Sequence, residues 1–207
     1  MMQADNHLAD LLSEIRVCRV CRDTPTDKPM EHEPRPVLIA SQTARILIAG
    51  QAPGTRVHAS GVPFTDASGD RLRHWLGVTS EQFYDPQNFA ILPMGFCFPG
   101  LDAQGGDLPP RKECAPLWRA KVLGLMPQVE LILLIGGYAQ KWHLGPQKDG
   151  LTATVIKWRD MFESSHQPGF LPLPHPSWRN TGWLKQNTWF ETELLPVLRQ
   201  TVMTLLN

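Results

Sequence analysis

Short apolar runs alternate along this chain with longer stretches in which apolar residues recur at helical spacing. Four runs read as strands, at 45–49 (RILIA), 89–96 (FAILPMGF), 130–137 (ELILLIGG) and 169–174 (GFLPLP). The third is the clearest, apolar throughout as a strand covered on both faces should be. The fourth is punctuated by proline. Helical patterns run through Leu8, Leu11, Leu12 and Ile15, then Leu72, Trp75 and Leu76. A further helix starts near Arg111, carries Leu117, Trp118, Val122 and Leu125, and closes at Pro127. A short helix is expected over 138–143, with Trp142 and His143 as packing or surface groups. A terminal amphipathic helix includes Phe190, Leu194, Val197, Leu198 and Leu205 and bends at Pro196. Weaker extended segments are expected at 37–40 and 153–162, and 24–36, rich in proline, reads as an irregular connection. This alternation predicts an α/β fold, a three-layer αβα arrangement around a central, mainly parallel four-stranded sheet.

Composition narrows the class. A chain of 207 residues, 42% hydrophobic and 19% charged, can bury one core of ordinary size, so 1–207 is expected to be a single domain and a monomer. With 20 basic and 20 acidic residues the net charge is zero, so no global field gathers nucleic acid and any DNA contact must come from a local patch. The longest apolar run, 131–135, is far too short to cross a bilayer, and the N-terminus is polar and amphipathic. A soluble cytoplasmic protein without a membrane partner is the expectation. Four cysteines in such a chain suggest a metal site more readily than disulfides.

The candidate chemistry gathers at 50–69, GQAPGTRVHASGVPFTDASG, which joins the first strand to a helix. Ligands bind at such junctions in open α/β sheets, because backbone N–H groups converge there. Gly54 is followed by Thr55 and Arg56 rather than Lys and Ser/Thr, which excludes a phosphate-binding P-loop, and no Gly-x-Gly-x-x-Gly is present. Elsewhere, Cys18-x2-Cys21 follows the first helical pattern, a spacing that lets two sulfurs turn toward one metal. Cys97 and Cys114 flank a Gly/Pro-rich loop after the second strand. A thiol redox site at Cys18 and Cys21 is the weaker alternative, because that motif normally opens a helix after a strand.

Gly50-Gln51-Ala52-Pro53-Gly54, Gly61-Val62-Pro63-Phe64 and Asp66-Ala67-Ser68-Gly69, together with His175-Pro176-Ser177 after the last strand, resemble the iron–sulfur branches of the uracil-DNA glycosylase superfamily. The resemblance covers nearly the whole chain and implies a glycosylase that flips uracil or a related deaminated base out of DNA and hydrolyses its N-glycosidic bond. It implies a [4Fe–4S] cluster on Cys18, Cys21, Cys97 and Cys114, with zinc as the alternative. Gln51, Ala52 and Pro53 would meet the pyrimidine edge. Phe64 would stack on the base or serve as a core side chain. Asp66 would stabilise the cationic sugar or orient water, or cap a helix. His175 would donate to uracil O2. Ser177, Trp178 and Arg179 would open a DNA-inserting loop over 178–183.

Departures from the family pattern are specific. Gln51 stands where one branch has an acid, and Gln cannot act as a base. Pro93 stands where an asparagine is expected to read the uracil edge. His58 has no counterpart and is carried as a candidate substrate contact or a polar loop residue. A second reading follows: a member acting as a DNA- or nucleobase-binding module without glycosylase activity.

Overall fold

The computed structural model of the protein describes residues 2–162 and 168–207, with side chains from residue 7 onward. Four strands, β1 (Ile46–Ala49), β2 (Phe89–Ile91), β3 (Leu131–Ile135) and β4 (Gly169–Leu173), form one sheet in the order β2-β1-β3-β4. All three pairings are parallel. The helices are α1 (Met2–Arg16), α2 (Val20–Asp23), α3 (Thr55–Ser60), α4 (Ala67–Leu76), α5 (Ser80–Tyr84), α6 (Cys114–Gly124), α7 (Gly136–Leu144), α8 (Gly150–Ile156), α9 (Trp158–Phe162), α10 (Thr181–Gln186) and α11 (Leu195–Leu206).

The strands are apolar throughout because each face is covered, and successive side chains serve opposite cores. Ile46, Ile48, Leu131, Leu133, Leu171 and Leu173 pack with Leu72 and Trp75 of α4, Phe83 of α5, Trp158 of α9 and Leu198 of α11. Leu47, Ala49, Ile132 and Leu134 face the other way, toward Leu8 and Ile15 of α1 and Trp118 and Val122 of α6. The expected three-layer αβα fold with a central four-stranded sheet is therefore the fold observed.

Several local expectations are corrected. The segment 153–162 is helical, not extended: Thr154, Val155 and Trp158 are buried at helical spacing, so packing on the sheet overrides the β-branched composition. The segment 37–40 makes only a single antiparallel bridge, Ile39 to Ile91, before the chain turns away. The second strand ends at Ile91 rather than running on to Phe96. Its continuation still follows β1, with Leu92 N–H donating to Ile48 O at 2.9 Å and Met94 N–H to Gly50 O at 2.9 Å. The helix expected near Arg111 begins at Cys114, and 178–183 forms a 3-10 turn (Trp178–Asn180) running into α10. A π-helical turn (Phe190–Leu194) leads into α11 and leaves Pro196 in its first turn, where the missing N–H is tolerated.

The connection from β1 to α4 is held by backbone strain and its compensation. Phe64 has φ 55°, the only positive-φ non-glycine residue among those described. A side chain in that region costs about 1–3 kcal/mol and persists only where neighbours over-determine it. Here the Phe64 carbonyl accepts from Tyr84 Oη at 3.1 Å and from Arg73 Nη1 at 3.2 Å, and Tyr84 also donates to Pro63 O at 2.9 Å. Gly69, in the first turn of α4, lies beneath the same carbonyl so closely that a Cβ there would stand 1.8 Å from the oxygen. Gly69→Ala must displace the Phe64 peptide and is expected to destabilise the fold by about 1–3 kcal/mol, as overpacking does. A thermal melt checks it: at about 2–4 °C per kcal/mol for a domain of this size, the midpoint falls by several degrees.

Candidate active site

In the order β2-β1-β3-β4, the connection leaving β1 runs to one side of the sheet and that leaving β3 to the other, which places a switch point between these two strands. A cleft of ≈ 710 Å³ opens beside their carboxyl ends. It is lined by Gly50 to Val57 from the loop after β1, by Phe64, Asp66 and Ser68, and by Ile91 and Pro93 beyond β2. Asp107 and the 175–180 segment complete it. The size is that of a small-molecule site, sufficient for one nucleobase and its sugar.

Of the residues singled out in the sequence, Gln51, Ala52, Pro53, Phe64, Asp66, His175, Ser177, Trp178 and Arg179 all line this cleft. His58 does not. It points instead against His32 and Phe98, with ring centroids 4.8 and 5.7 Å away, and burial, with His32 and Arg35 nearby, holds its pKa below the ordinary value. Phe64 lines the cleft while packing edge-on against Phe83 at 6.1 Å. Asp66 caps α4, its Oδ1 accepting from the N–H groups of Ser68 and Gly69 at 3.1 Å each, and the residue also lines the cleft.

His175 follows β4, and its carbonyl accepts from Asn180 Nδ2 at 2.7 Å. Its Nδ1 accepts from the Ser177 N–H at 3.2 Å, so the ring proton belongs on Nε2. Gly136, just past β3, lies against this residue: a Cβ there would stand 3.6 Å from the His175 Cβ. Burial holds the His175 pKa below the ordinary value, against the opposing pull of Asp66. The ring is thus a neutral N–H donor at pH 7.

Several supports for the site have no signal in the sequence. Arg71, on α4, donates from Nη1 to Ser177 O at 2.9 Å and from Nη2 to Thr181 Oγ1 at 3.3 Å, fixing the segment after His175. Arg119 is fully buried in α6 and donates to the carbonyls of Leu92 and Pro93, steadying the wall that Pro93 gives the cleft. Its Nη2 lies 3.0 Å from His143 Nε2, and burial and this cation push the His143 pKa down to about 4, so His143 is a packing group, as expected. Asp107 is equally silent, in a Gly-Gly-Asp-Leu-Pro-Pro stretch that reads as ordinary turn composition.

Cys18, Cys21, Cys97 and Cys114 line a second, smaller cavity with Ile15, Phe96 and Trp118, and all four are free thiols. The Phe96 N–H points at Cys114 Sγ at 3.2 Å. Burial pushes the Cys97 thiol far up and that of Cys114 to about 12, and the neighbouring thiols push the Cys97 value further in the same direction. Among the described residues no group of three or more His, Cys, Asp or Glu stands in an arrangement ready for a metal ion. Among them, too, no helix is long and apolar enough to cross a membrane.

The tautomer of His175 is directly testable. Nitrogen NMR at pH 7 should show the Nε2–H form, titrating below the ordinary histidine value near 6.5. Because the folded value lies below the unfolded one, the unfolded chain binds more protons between the two. The contribution of His175 to stability is therefore complete above about 6.5 and is lost as pH falls through the folded value.

The family model described as Uracil DNA glycosylase superfamily matches residues 36–199, which span β1 to α11 and every residue lining the cleft, while Cys18 and Cys21 precede the match. The chain belongs to the uracil-DNA glycosylase superfamily.

Proposed function

We propose that this protein is a DNA glycosylase that removes uracil or a related deaminated base by hydrolysing the N-glycosidic bond after base flipping. The observation that carries the reading is the convergence of Gln51 to Pro53, Phe64, Asp66 and a neutral, Nε2-protonated His175 on one cleft. Extruding a base costs a few kcal/mol and needs a close pocket with a stacking surface. Phe64 supplies that surface, and base–aromatic stacking is worth roughly 1–3 kcal/mol. Bond cleavage leaves negative charge on the base and positive charge on the sugar. His175 donates Nε2–H to the departing O2, and the Asp66 oxygen left free by helix capping stabilises the sugar cation. Trp178, 75% exposed, is the wedge that enters the duplex as the base leaves it, and Arg179 and Arg56 at the rim contact phosphate.

Pro93 supports a second reading. It lines the cleft at the position where the sequence resemblance expects a base-reading asparagine, and Gln51 stands beside it where one branch has an acid. A nucleobase-binding module without hydrolysis is the corresponding function. Oligonucleotides carrying uracil, hypoxanthine or xanthine, incubated with the protein and then treated with alkali, separate the two. Strand scission on one of them, slowed on the order of 10²–10³-fold in His175→Ala, is the expected result. Tight binding with no scission on any of them leaves the binding module.

We propose that the four cysteines hold a [4Fe–4S] cluster, with zinc as the alternative. The support is their shared cavity, walled by Ile15, Phe96 and Trp118 and by the Arg111–Glu113 ion pair, and the Phe96 N–H directed at a sulfur. Such a group would brace α1 and α2 against α6 and supply no step of the hydrolysis. Anaerobically prepared protein is expected to be brown, with iron and acid-labile sulfide in equal amounts, and Cys97→Ala to lose both. A colourless protein holding one zinc decides for the alternative.

A further inference from the structure

Hydrolysis needs a group to hold the attacking water and take its proton, and the residues so far assigned leave that role open. Gln51 has no proton-accepting side chain, and one oxygen of Asp66 is committed to two backbone N–H groups. A different carboxylate lines the same cleft: Asp107, from the loop between β2 and α6. Its backbone is fixed. Asp107 forms an antiparallel bridge with Leu101, Leu108 N–H donates to Gly100 O at 2.9 Å, and Asp102 N–H donates to Gly106 O at 2.8 Å. The neighbouring acid of this loop is used structurally, with Asp102 Oδ1 accepting from the N–H groups of Gln104 at 2.9 Å and Gly106 at 2.7 Å. The Asp107 carboxylate, by contrast, meets no protein donor among the described residues, and its Oδ2 lies 3.4 Å from where a Cβ on Gly54 would stand. It therefore lies over the glycine that ends the first motif.

We infer that Asp107 is the proton acceptor of the cleft, holding the water that attacks the sugar while Asp66 faces the developing cation. The inference rests on the glycosylase reading and adds to it the residue that completes the reaction. As the water oxygen bonds to C1′, one of its protons passes to the Asp107 carboxylate. The C1′–N bond breaks, and its electron pair leaves with the base as an anion held by His175 Nε2–H. The base anion is later protonated from solvent, and Asp107 returns its proton to solvent. Although the residue is exposed at the cleft mouth, shielding by the cleft walls holds its carboxyl above the usual range; Arg179 opposes this, and Asp66 and Asp102 add to it. A carboxylate raised in this way is a better base at neutral pH than an unperturbed one.

Single-turnover excision of uracil, hypoxanthine and xanthine from oligonucleotides tests the inference, using the wild type, Asp107→Asn, and Asp107→Ala with and without sodium formate. Melting curves of the three proteins should coincide, since Asp107 is exposed and bears no structural hydrogen bond. In Asp107→Asn, excision at saturating protein is expected to slow on the order of 10²–10⁴-fold, with oligonucleotide affinity unchanged. Formate is expected to restore part of the rate of Asp107→Ala by replacing the missing carboxylate. An Asp107→Asn protein that excises at the wild-type rate, or loses only affinity, overturns the role of Asp107 and leaves the glycosylase reading intact. A wild type that excises none of the three bases overturns both.

Discussion

The Phe64 carbonyl, pressed against the first turn of α4, is the contact on which the cleft depends. It forces Phe64 into a left-handed backbone conformation, admits only glycine at position 69, and draws Tyr84 and Arg73 onto one oxygen. Each consequence serves the site. The turn aims the Phe64 ring at the cleft while its edge stays packed on Phe83, and it starts α4 where Asp66 can cap the helix and still line the cleft. Strain at a functional position is thus balanced by hydrogen bonds from two neighbouring helices.

The other wall depends on hydrogen bonds from outside its own segment. The stretch 175–180 has little regular structure before α10, yet Arg71 reaches it from α4 and Asn180 closes back onto the His175 carbonyl. Because Arg71 and the Phe64 contact both originate in α4, that one helix sets the distance between the two walls. Its buried face, Leu72, Trp75 and Leu76, is anchored in the core between the sheet and α11. A rigid scaffold therefore positions the loops that carry the chemistry.

Charge is distributed locally rather than globally. The chain is neutral overall, but the cleft is lined by Asp66, with Asp107 at its mouth and the exposed Arg56 and Arg179 at its rim. With no net charge, no long-range field gathers a ligand at the cleft, and only these local charges act there. The thiol-lined cavity is walled by Ile15, Phe96 and Trp118, and the loop between its Cys97 and Cys114 carries Asp107 to the cleft.

The sheet was legible in the sequence because burial on both faces requires uninterrupted apolar runs, and only such runs occur at β1, β3 and β4. The motif residues were legible because glycines and prolines at 50–69 and a histidine after the last strand restrict the backbone in recognisable ways. The helices at 150–162 were not, since their β-branched residues favour extension locally and only docking on the sheet makes them helical. Nor could sequence show that Phe64 and Asp66, which pack against Phe83 and cap α4, also line one cleft. Arg71, Arg119 and Asp107 are ordinary residues on ordinary elements, and only the tertiary structure decided their importance. Long-range packing brings an arginine of α4 to a loop more than a hundred positions later, a buried guanidinium beneath Pro93, and the Asp107 carboxylate over Gly54.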